Sequence, residues 1–547
     1  MSPSGLLLVF VCLKKEIMLV LQSVAYAHPN RDVLFDSLQL SVGRHQKIAL
    51  IGNNGAGKST LLRILAGELA PASGVVRLEA APYYVPQIFG QFNDLTIAQA
   101  LRIEPKRLAL HEILAGTVTE ANLAALNDDW TIEERCTEAL AQWDLAGLEL
   151  TQPMATLSGG QKTKVFLAGI TLHQPEIVLL DEPSNHLDTA GRQRLYDFIR
   201  TTQSTLLVVS HDRTLLNLLD SVCELSRRGL AVYGGNFDFY QAQKQLESQA
   251  LSEDVRSKEK ALRKARDVER ETAERQQKLD ARGRKKQEKA GVPTIMLNTL
   301  RNNAEKTSSR LKSVHAEKLG GIAQELSDLR QELPDTDKMK FGFDSSGLHT
   351  GKILVTATAI NYGYGPQPLW PRPLSFQITS GERIALKGLN GSGKTTLIQL
   401  IIGAAEPQSG TLYRAAGNKT VYIDQEYSLL DNQLTVYAQA QRFNVAGLQE
   451  HEVKIRLSRF LFGKDEWDKP GRALSGGEKM RLLLCCLTIG QQAPDIIVLD
   501  EPTNNLDLQN IGILTAALND YQGTLLVVSH DPVFLAQVGV ARIIALE

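Results

Sequence analysis

Short apolar runs of three to five residues, each cut off by a glycine or an acidic pair, recur near both ends of this chain. Ile48-Ala49-Leu50-Ile51, Ile177 to Leu180 and Leu206 to Val209 lack the apolar/polar alternation of a half-exposed strand. Runs of this kind read as strands of a parallel sheet covered on both faces. Ile384 to Leu386, Ile496 to Leu499 and Leu525 to Val528 repeat them in the same order. Strand, glycine loop and helical pattern follow one another in each half. The prediction is therefore α/β: two domains, each with a mainly parallel sheet.

The pattern changes between the halves. From about 241 to 334 charged residues and Gln dominate, and Gly and Pro come together only at Gly291-Val292-Pro293. This predicts two long helices hinged near 291 to 293. Leu319, Ile322, Leu326, Leu329 and Leu333 carry the three/four spacing of one packed stripe on the return helix. An arm of about 45 residues would reach roughly 65 Å at ~1.5 Å per residue. The expected boundaries are 1–17 as an N-terminal extension, 18–240 as the first domain, 241–340 as a charged α-helical hairpin linker, and 341–547 as the second domain.

Composition narrows the class. A chain of 547 residues exceeds one core, and 43% hydrophobic with 22% charged residues is ordinary for a globular protein. Leu6 to Leu13 is far short of the roughly 20 apolar residues of a spanning helix. Lys14, Lys15 and Glu16 follow that run and no basic residue precedes it, which opposes a secretory signal. Residues 1–17 are thus expected to be a dispensable extension or an upstream start, with Met18 opening the first domain. Cys12, Cys136, Cys223, Cys485 and Cys486 form no C-x-x-C pair. They fit core packing in a cytoplasmic protein, not a disulfide or zinc framework.

The chemistry lies in motifs that occur twice. Gly52-Asn53-Asn54-Gly55-Ala56-Gly57-Lys58-Ser59 and Gly388-Leu389-Asn390-Gly391-Ser392-Gly393-Lys394-Thr395 both match G-x-x-x-x-G-K-[ST]. Their glycines let backbone N–H groups face phosphate, each Lys supplies a point charge, and Ser59 or Thr395 can ligate Mg²⁺. Thr60 and Thr396 continue these loops into the helices. Asp181 and Asp500 end apolar strands, where a carboxylate can hold Mg²⁺. Glu182 and Glu501 follow, placed to orient or deprotonate an attacking water. His211 and His530 stand 30 residues after Asp181 and Asp500, a spacing that favours a γ-phosphate contact over a structural role. Ser158-Gly159-Gly160 and Ser475-Gly476-Gly477 each follow a leucine; the serines are good N-caps, and the helices behind them offer free N–H groups to an anion.

Together these motifs resemble the ATP-binding cassette superfamily over nearly everything outside the linker and residues 1–17. The resemblance implies head-to-tail closure, with each ATP between one phosphate loop and the other cassette's signature. Lys58 is then expected opposite Ser475 and Gly477, and Lys394 opposite Ser158 and Gly160. It also implies that Gln87 and Gln425 are the family's glutamine loop and that Tyr364 stacks on adenine. In the first half His28 falls at that position with Tyr26 two residues before it; either ring could stack.

The linker points to a partner. Residues 256–318 hold 19 Lys and Arg against 9 Asp and Glu, in a chain of net charge −1. The tip, 281–312, has 9 basic residues against 2 acidic ones. A solvated helix face is the ordinary explanation of a charge run. Here Val292, Pro293, Ile295, Met296 and Leu297 set apolar residues among the charges, which favours a nucleic-acid footprint. Two cassettes, this hairpin, Pro293-Thr294-Ile295-Met296 and Tyr233-Gly234-Gly235-Asn236-Phe237 resemble the ABC-F family. That resemblance implies a cytoplasmic, monomeric ATPase with ATP and Mg²⁺ at two composite sites. It further implies action on the ribosome, on rRNA and tRNA, as a translation factor or in antibiotic resistance. The rival is the ATPase subunit of a transporter with separate membrane subunits, which has no evident use for the hairpin. A DNA-repair ATPase would want zinc-type cysteine pairs or very long coiled coils. From Gln87 to Leu157 there are 70 positions, against 49 from Gln425 to Leu474, leaving room in the first half for an extra arm.

Overall fold

The computed structural model describes residues 16–288, 313, 316–330 and 347–546, except 29–31, 88, 227, 366, 390, 491 and 505. The chain forms two compact units, Met1–Tyr240 with Met339–Glu547, and Gln241–Lys338.

The first unit holds two cassettes built alike. In the first, strands lie in the order Pro82–Val85, Ile177–Asp181, Thr205–Val209, Lys47–Ile51, Ser221–Ser226, Gly229–Gly234. Every pairing is parallel except the last. In the second, Thr420–Ile423, Ile496–Asp500, Thr524–Val528, Arg383–Gly388 and Arg542–Leu546 form an all-parallel sheet. The predicted strands are all present, and their continuous apolar character has a direct cause. Ile48, Leu50, Leu179 and Val209 enter the core on one face, while Ala49, Ile51, Val178 and Val208 enter the core on the other. Ile384 and Val498 against Ala385 and Leu499 divide the same way. The predicted runs are each buried on both faces, so no polar position interrupts them.

One layer was not foreseen. Ile17–Ala27 pairs antiparallel with Val33–Gly43 and Ser73–Leu78, and Ile353–Asn361 pairs antiparallel with Leu374–Thr379 and Ser409–Arg414. These sheets cover the face that also buries the helix after each phosphate loop, since Leu19, Val24, Leu61 and Leu62 share one core. Bulges hide them in the sequence: Ser23 and Ala359 sit at φ 48° and 51°, where the register of the ladders shifts. Glu16, just before the first of these strands, pairs with Arg44 at 2.7 Å. The extension proper, residues 1–15 with Cys12, lies outside the described residues. The other four cysteines are buried free thiols.

The length difference between the halves has a structural counterpart. Between Thr96 and the first signature run Ile97–Ala100, Glu104–Leu114, Glu120–Leu126 and Ile132–Gln142; the second cassette has Val436–Arg442 and Glu450–Arg459 there. Glu104–Leu114 and Glu120–Leu126 pack on each other as the added helical pair.

The described residues of the second unit are helical. Helix Phe237–Glu288 runs for 52 residues, about 78 Å at ~1.5 Å each. Residues 316–330 are helical, and there Leu326 is buried, Leu319, Ile322 and Leu329 are half-buried, and the residues between them are exposed. Val255 is buried on the long helix. Lys258 pairs with Glu325, and Arg330 with Glu259 at 2.6 Å, so the two helices are zipped by an apolar stripe flanked by ion pairs. The hinge, Leu333 and tip residues 289–312, with Pro293 to Met296, lie outside the described residues.

Candidate functional site

Each phosphate loop leaves the C-terminal end of a buried parallel strand and turns at once into a helix, Lys58–Leu65 or Lys394–Ile402. Gly57 and Gly393 cap those helices at φ 98° and 87°. A side chain is excluded there by conformation and by space, because a Cβ on Gly57 would stand 2.8 Å from Leu34 and on Gly393 2.5 Å from Leu369. Lys58 Nζ donates to the carbonyls of Gly52 at 2.7 Å and Asn53 at 3.1 Å; Lys394 Nζ donates to those of Gly388 and Leu389, both at 2.9 Å. Each ammonium thus spans its own loop, where an anion would sit.

Around Lys58 is a cavity of about 360 Å³ that brings together Asn54, Gly55, Gly57, Ser59, Thr60, Gln87, Asp181, Glu182 and His211. Around Lys394 a larger one, about 680 Å³, holds Gly391, Gly393, Thr395, Thr396, Gln425, Asp500, Glu501 and His530. Asn390 lies outside the described residues. Ser392 faces a neighbouring cavity with Gly388 and Leu389, and Ala56 packs on the core.

The carboxylates are buried with little to neutralise them. Burial first, then the charge of Asp181, pushes Glu182 well above the carboxylate range; burial pushes Glu501 up to about 7. Burial holds His211 down to about 3 and His530 to about 4. Both imidazoles are therefore neutral, and their approaches of 3.2 and 3.4 Å to Glu182 and Glu501 are not ion pairs. Glu182 and Glu501 also share a left-handed backbone, φ 50° and 47°, uncommon for glutamate and a form of strain found at functional turns. Asp181 Oδ1 and one oxygen of each glutamate are buried without a hydrogen-bond partner. Such acids fit a cation nearby, which would reverse the effect of burial. Ser59 hydrogen-bonds Asp181. No group of three or more His, Cys, Asp or Glu able to hold a metal occurs among the described residues. That donor set suits Mg²⁺, which takes one or two protein oxygens and completes its shell from phosphate and water.

The signature segments form as the capping pattern predicts. Ser158 and Ser475 cap helices Gly159–His173 and Gly476–Ile489, each in a reciprocal box with Gln161 or Glu478. Their placement differs. Ser158, Gly159 and Gly160 line the Lys394 cavity, together with His186, Leu187 and Arg192 from the same cassette. Among the described residues, the walls of the Lys58 cavity come from the first cassette, and Ser475, Gly476 and Gly477 do not line it. The second cassette reaches that loop otherwise: Asn54 N–H donates to Asp507 Oδ2 at 2.8 Å.

Two pairs of residues escaped the reading of the sequence. Asp188 and Asp507 cap the helices after the acidic strands, and each adds negative charge at the other cassette's phosphate-loop lysine. Tyr84 and Tyr422 donate to Asp181 at 3.3 Å and Asp500 at 3.0 Å. Both were findable, because each aspartate stands six residues after its glutamate and each tyrosine three before its glutamine. The two candidate aromatics of the first half also separate. His28 lines the Lys58 cavity, whereas Tyr26 packs on Phe35 within the core. Tyr364 is 76% exposed, its hydroxyl 2.9 Å from Thr396 Oγ1 beside the second phosphate loop.

A family model described as ABC transporter matches residues 35–185 and 371–504. The ATP-binding protein Uup of Escherichia coli is 31% identical over 92% of this chain and 76% of its own length. The energy-dependent translational throttle protein EttA of Mycobacterium tuberculosis is 30% identical over 95% and 90%. The chain belongs to the ABC-F family. It is a tandem-cassette ATP hydrolase, with a long helix between the cassettes. Among solved structures it resembles an RNase-L inhibitor, with a TM-score of 0.58 and 20% identity over 95% of this chain and 87% of that one, a likeness of fold.

Proposed function

We propose that this ABC-F ATPase acts on the ribosome in the cytoplasm as a monomer. Its ATP-closed form docks on rRNA and tRNA through the helical hairpin, and hydrolysis permits release. The observation that carries this reading is the 52-residue helix zipped to its return partner. A basic arm of that length has a use in reaching nucleic acid and no evident one in driving a membrane partner. The name of the relative EttA, a translational throttle, supports the same reading. No helix among the described residues is long and apolar enough to cross a membrane.

In this reading Gly52 to Thr60 and Gly388 to Thr396 bind the phosphates of ATP. Lys58 and Lys394 neutralise them, and Ser158 with Gly160 closes over the Lys394 site. Mg²⁺ would be held by Ser59 with Asp181 and by Thr395 with Asp500, where it would offset charge on the β- and γ-phosphates. Glu182 and Glu501 orient and deprotonate water. His211 and His530, neutral and buried, offer an N–H to the γ-phosphate. Gln87 and Gln425 line the open side, and Tyr364 and His28 stack on adenine. The basic tip serves as the phosphate-backbone contact.

Changing Glu182 and Glu501 to Gln is expected to trap the closed state. With ATP the double variant should co-sediment with ribosomes; recovery in the ribosome-free fraction, or with membranes, would defeat the proposal.

A further inference from the structure

The helix Thr189–Thr201 starts at the Asp188 cap of the first cassette, and its first turn faces the second cassette. Asp188 Oδ1 accepts from Gly191 N–H at 2.8 Å and fixes where the helix begins. Thr189 Oγ1 lies 3.3 Å from His530 Nδ1 of the second cassette. Three residues on, and so on the same helical face, Arg192 lines the cavity that holds Lys394, Glu501 and His530. Its Nε donates to Leu187 O at 3.2 Å, which holds the guanidinium at the mouth of this site.

Among the described residues, the equivalent position of the second cassette holds no cation. Four residues after Asp507, as Arg192 follows Asp188, stands Ile511, which is 1% exposed and part of that cassette's core. The helix Leu508–Asp520 therefore presents an apolar side chain where its counterpart presents a guanidinium. Both sites match the same loop, strand and histidine motifs, with Ser59 in one and Thr395 in the other, but they differ in this contribution across the interface.

We propose that Arg192 is a phosphate-binding residue supplied in trans to the Lys394 site, where its N–H groups meet the terminal phosphate and make that site the tighter and faster of the two. A guanidinium presents several donors in a fixed fork matched to phosphate oxygens, and its charge strengthens each bond. This rests on the assignment of Glu182 and Glu501 to the two sites.

The test uses the full chain with one glutamate blocked at a time. Arg192→Met is expected to lower hydrolysis by about tenfold or more in the Glu182→Gln background, where the Lys394 site turns over. In the Glu501→Gln background the rate should stay within about twofold, which also reports that the protein is folded. A fluorescent ATP analogue, titrated into Lys58→Ala protein, should bind the Lys394 site about tenfold more weakly after Arg192→Met. Arg192→Lys should recover part of the loss, which a purely structural role would not require. Equal losses in both backgrounds, or none in either, would overturn the proposal. If neither glutamine variant alters the rate, the glutamate assignment falls, and the binding titration still decides the role of Arg192.

Discussion

Asn54, in the first phosphate loop, donates its backbone N–H to Asp507 Oδ2 across the cassette interface at 2.8 Å. The other oxygen of Asp507 caps its own helix through Asn510 N–H, also at 2.8 Å. One buried carboxylate therefore fixes a helix start in one cassette and the entrance to the ATP site of the other.

Those two roles separate by substitution. Asp507→Ala should lose about 1 kcal/mol of stability with the cap and also slow hydrolysis at the Lys58 site. Asp507→Asn keeps a good capping oxygen, so its melting temperature should stay near wild type while the cross-interface bond weakens. Thermal melting and ATPase assays in the Glu501→Gln background read the two effects. Wild-type turnover in Asp507→Asn would show that the contact with Asn54 plays no part in catalysis.

Tyr364 offers an exposed ring beside the second phosphate loop, tethered through its hydroxyl to Thr396. Stacking on an adenine is worth roughly 0.5–1.5 kcal/mol beyond simple burial. Tyr364→Ala should therefore weaken ATP at the Lys394 site by about three- to tenfold, and Tyr364→Phe should cost much less. Calorimetric titration into Lys58→Ala protein measures both. Equal losses from the two changes would assign the effect to the hydroxyl tether instead.

Tyr422 donates to Asp500 at 3.0 Å. Removing that hydroxyl leaves the carboxylate free to turn away from its proposed Mg²⁺, and changes of this kind typically cost 10- to 100-fold in metal affinity. Tyr422→Phe should raise the Mg²⁺ concentration for half-maximal hydrolysis by about tenfold, with chelation stopping the reaction and added Mg²⁺ restoring it. An unchanged Mg²⁺ titration would place the metal away from Asp500.

Leu326 is the buried centre of the linker's apolar stripe. Leu326→Ala should destabilise the helical pairing by about 2–3 kcal/mol and open the linker to limited proteolysis, with basal ATPase activity largely kept. Coupled loss of ATPase and hairpin would mean that the helices fold only with the cassettes.

The sheets and phosphate loops were legible because each depends on local pattern. A strand buried on both faces must be continuously apolar, as Ile48 to Ile51 is, and a loop that turns at φ near 90° must place glycine at 57 and 393. The leucine stripe of the return helix was legible for the same reason, where it falls among the described residues. The antiparallel sheets were not, since the bulges at Ser23 and Ala359 break the period of two. Which signature faces which loop is a matter of packing over hundreds of positions. Ser158 lines the cavity around Lys394, and the contact that the described residues show across to the Lys58 loop comes from Asp507. Tyr26 and His28 could not be told apart by position alone; Phe35 packs on one and leaves the other at the cavity.

A structure of Glu182→Gln/Glu501→Gln protein bound to ribosomes with ATP tests the functional account most directly. Closed cassettes are expected, with the tip between 281 and 312 lying against rRNA and tRNA. Cassettes bound with the hairpin projecting into solvent, or no complex at all, would contradict it.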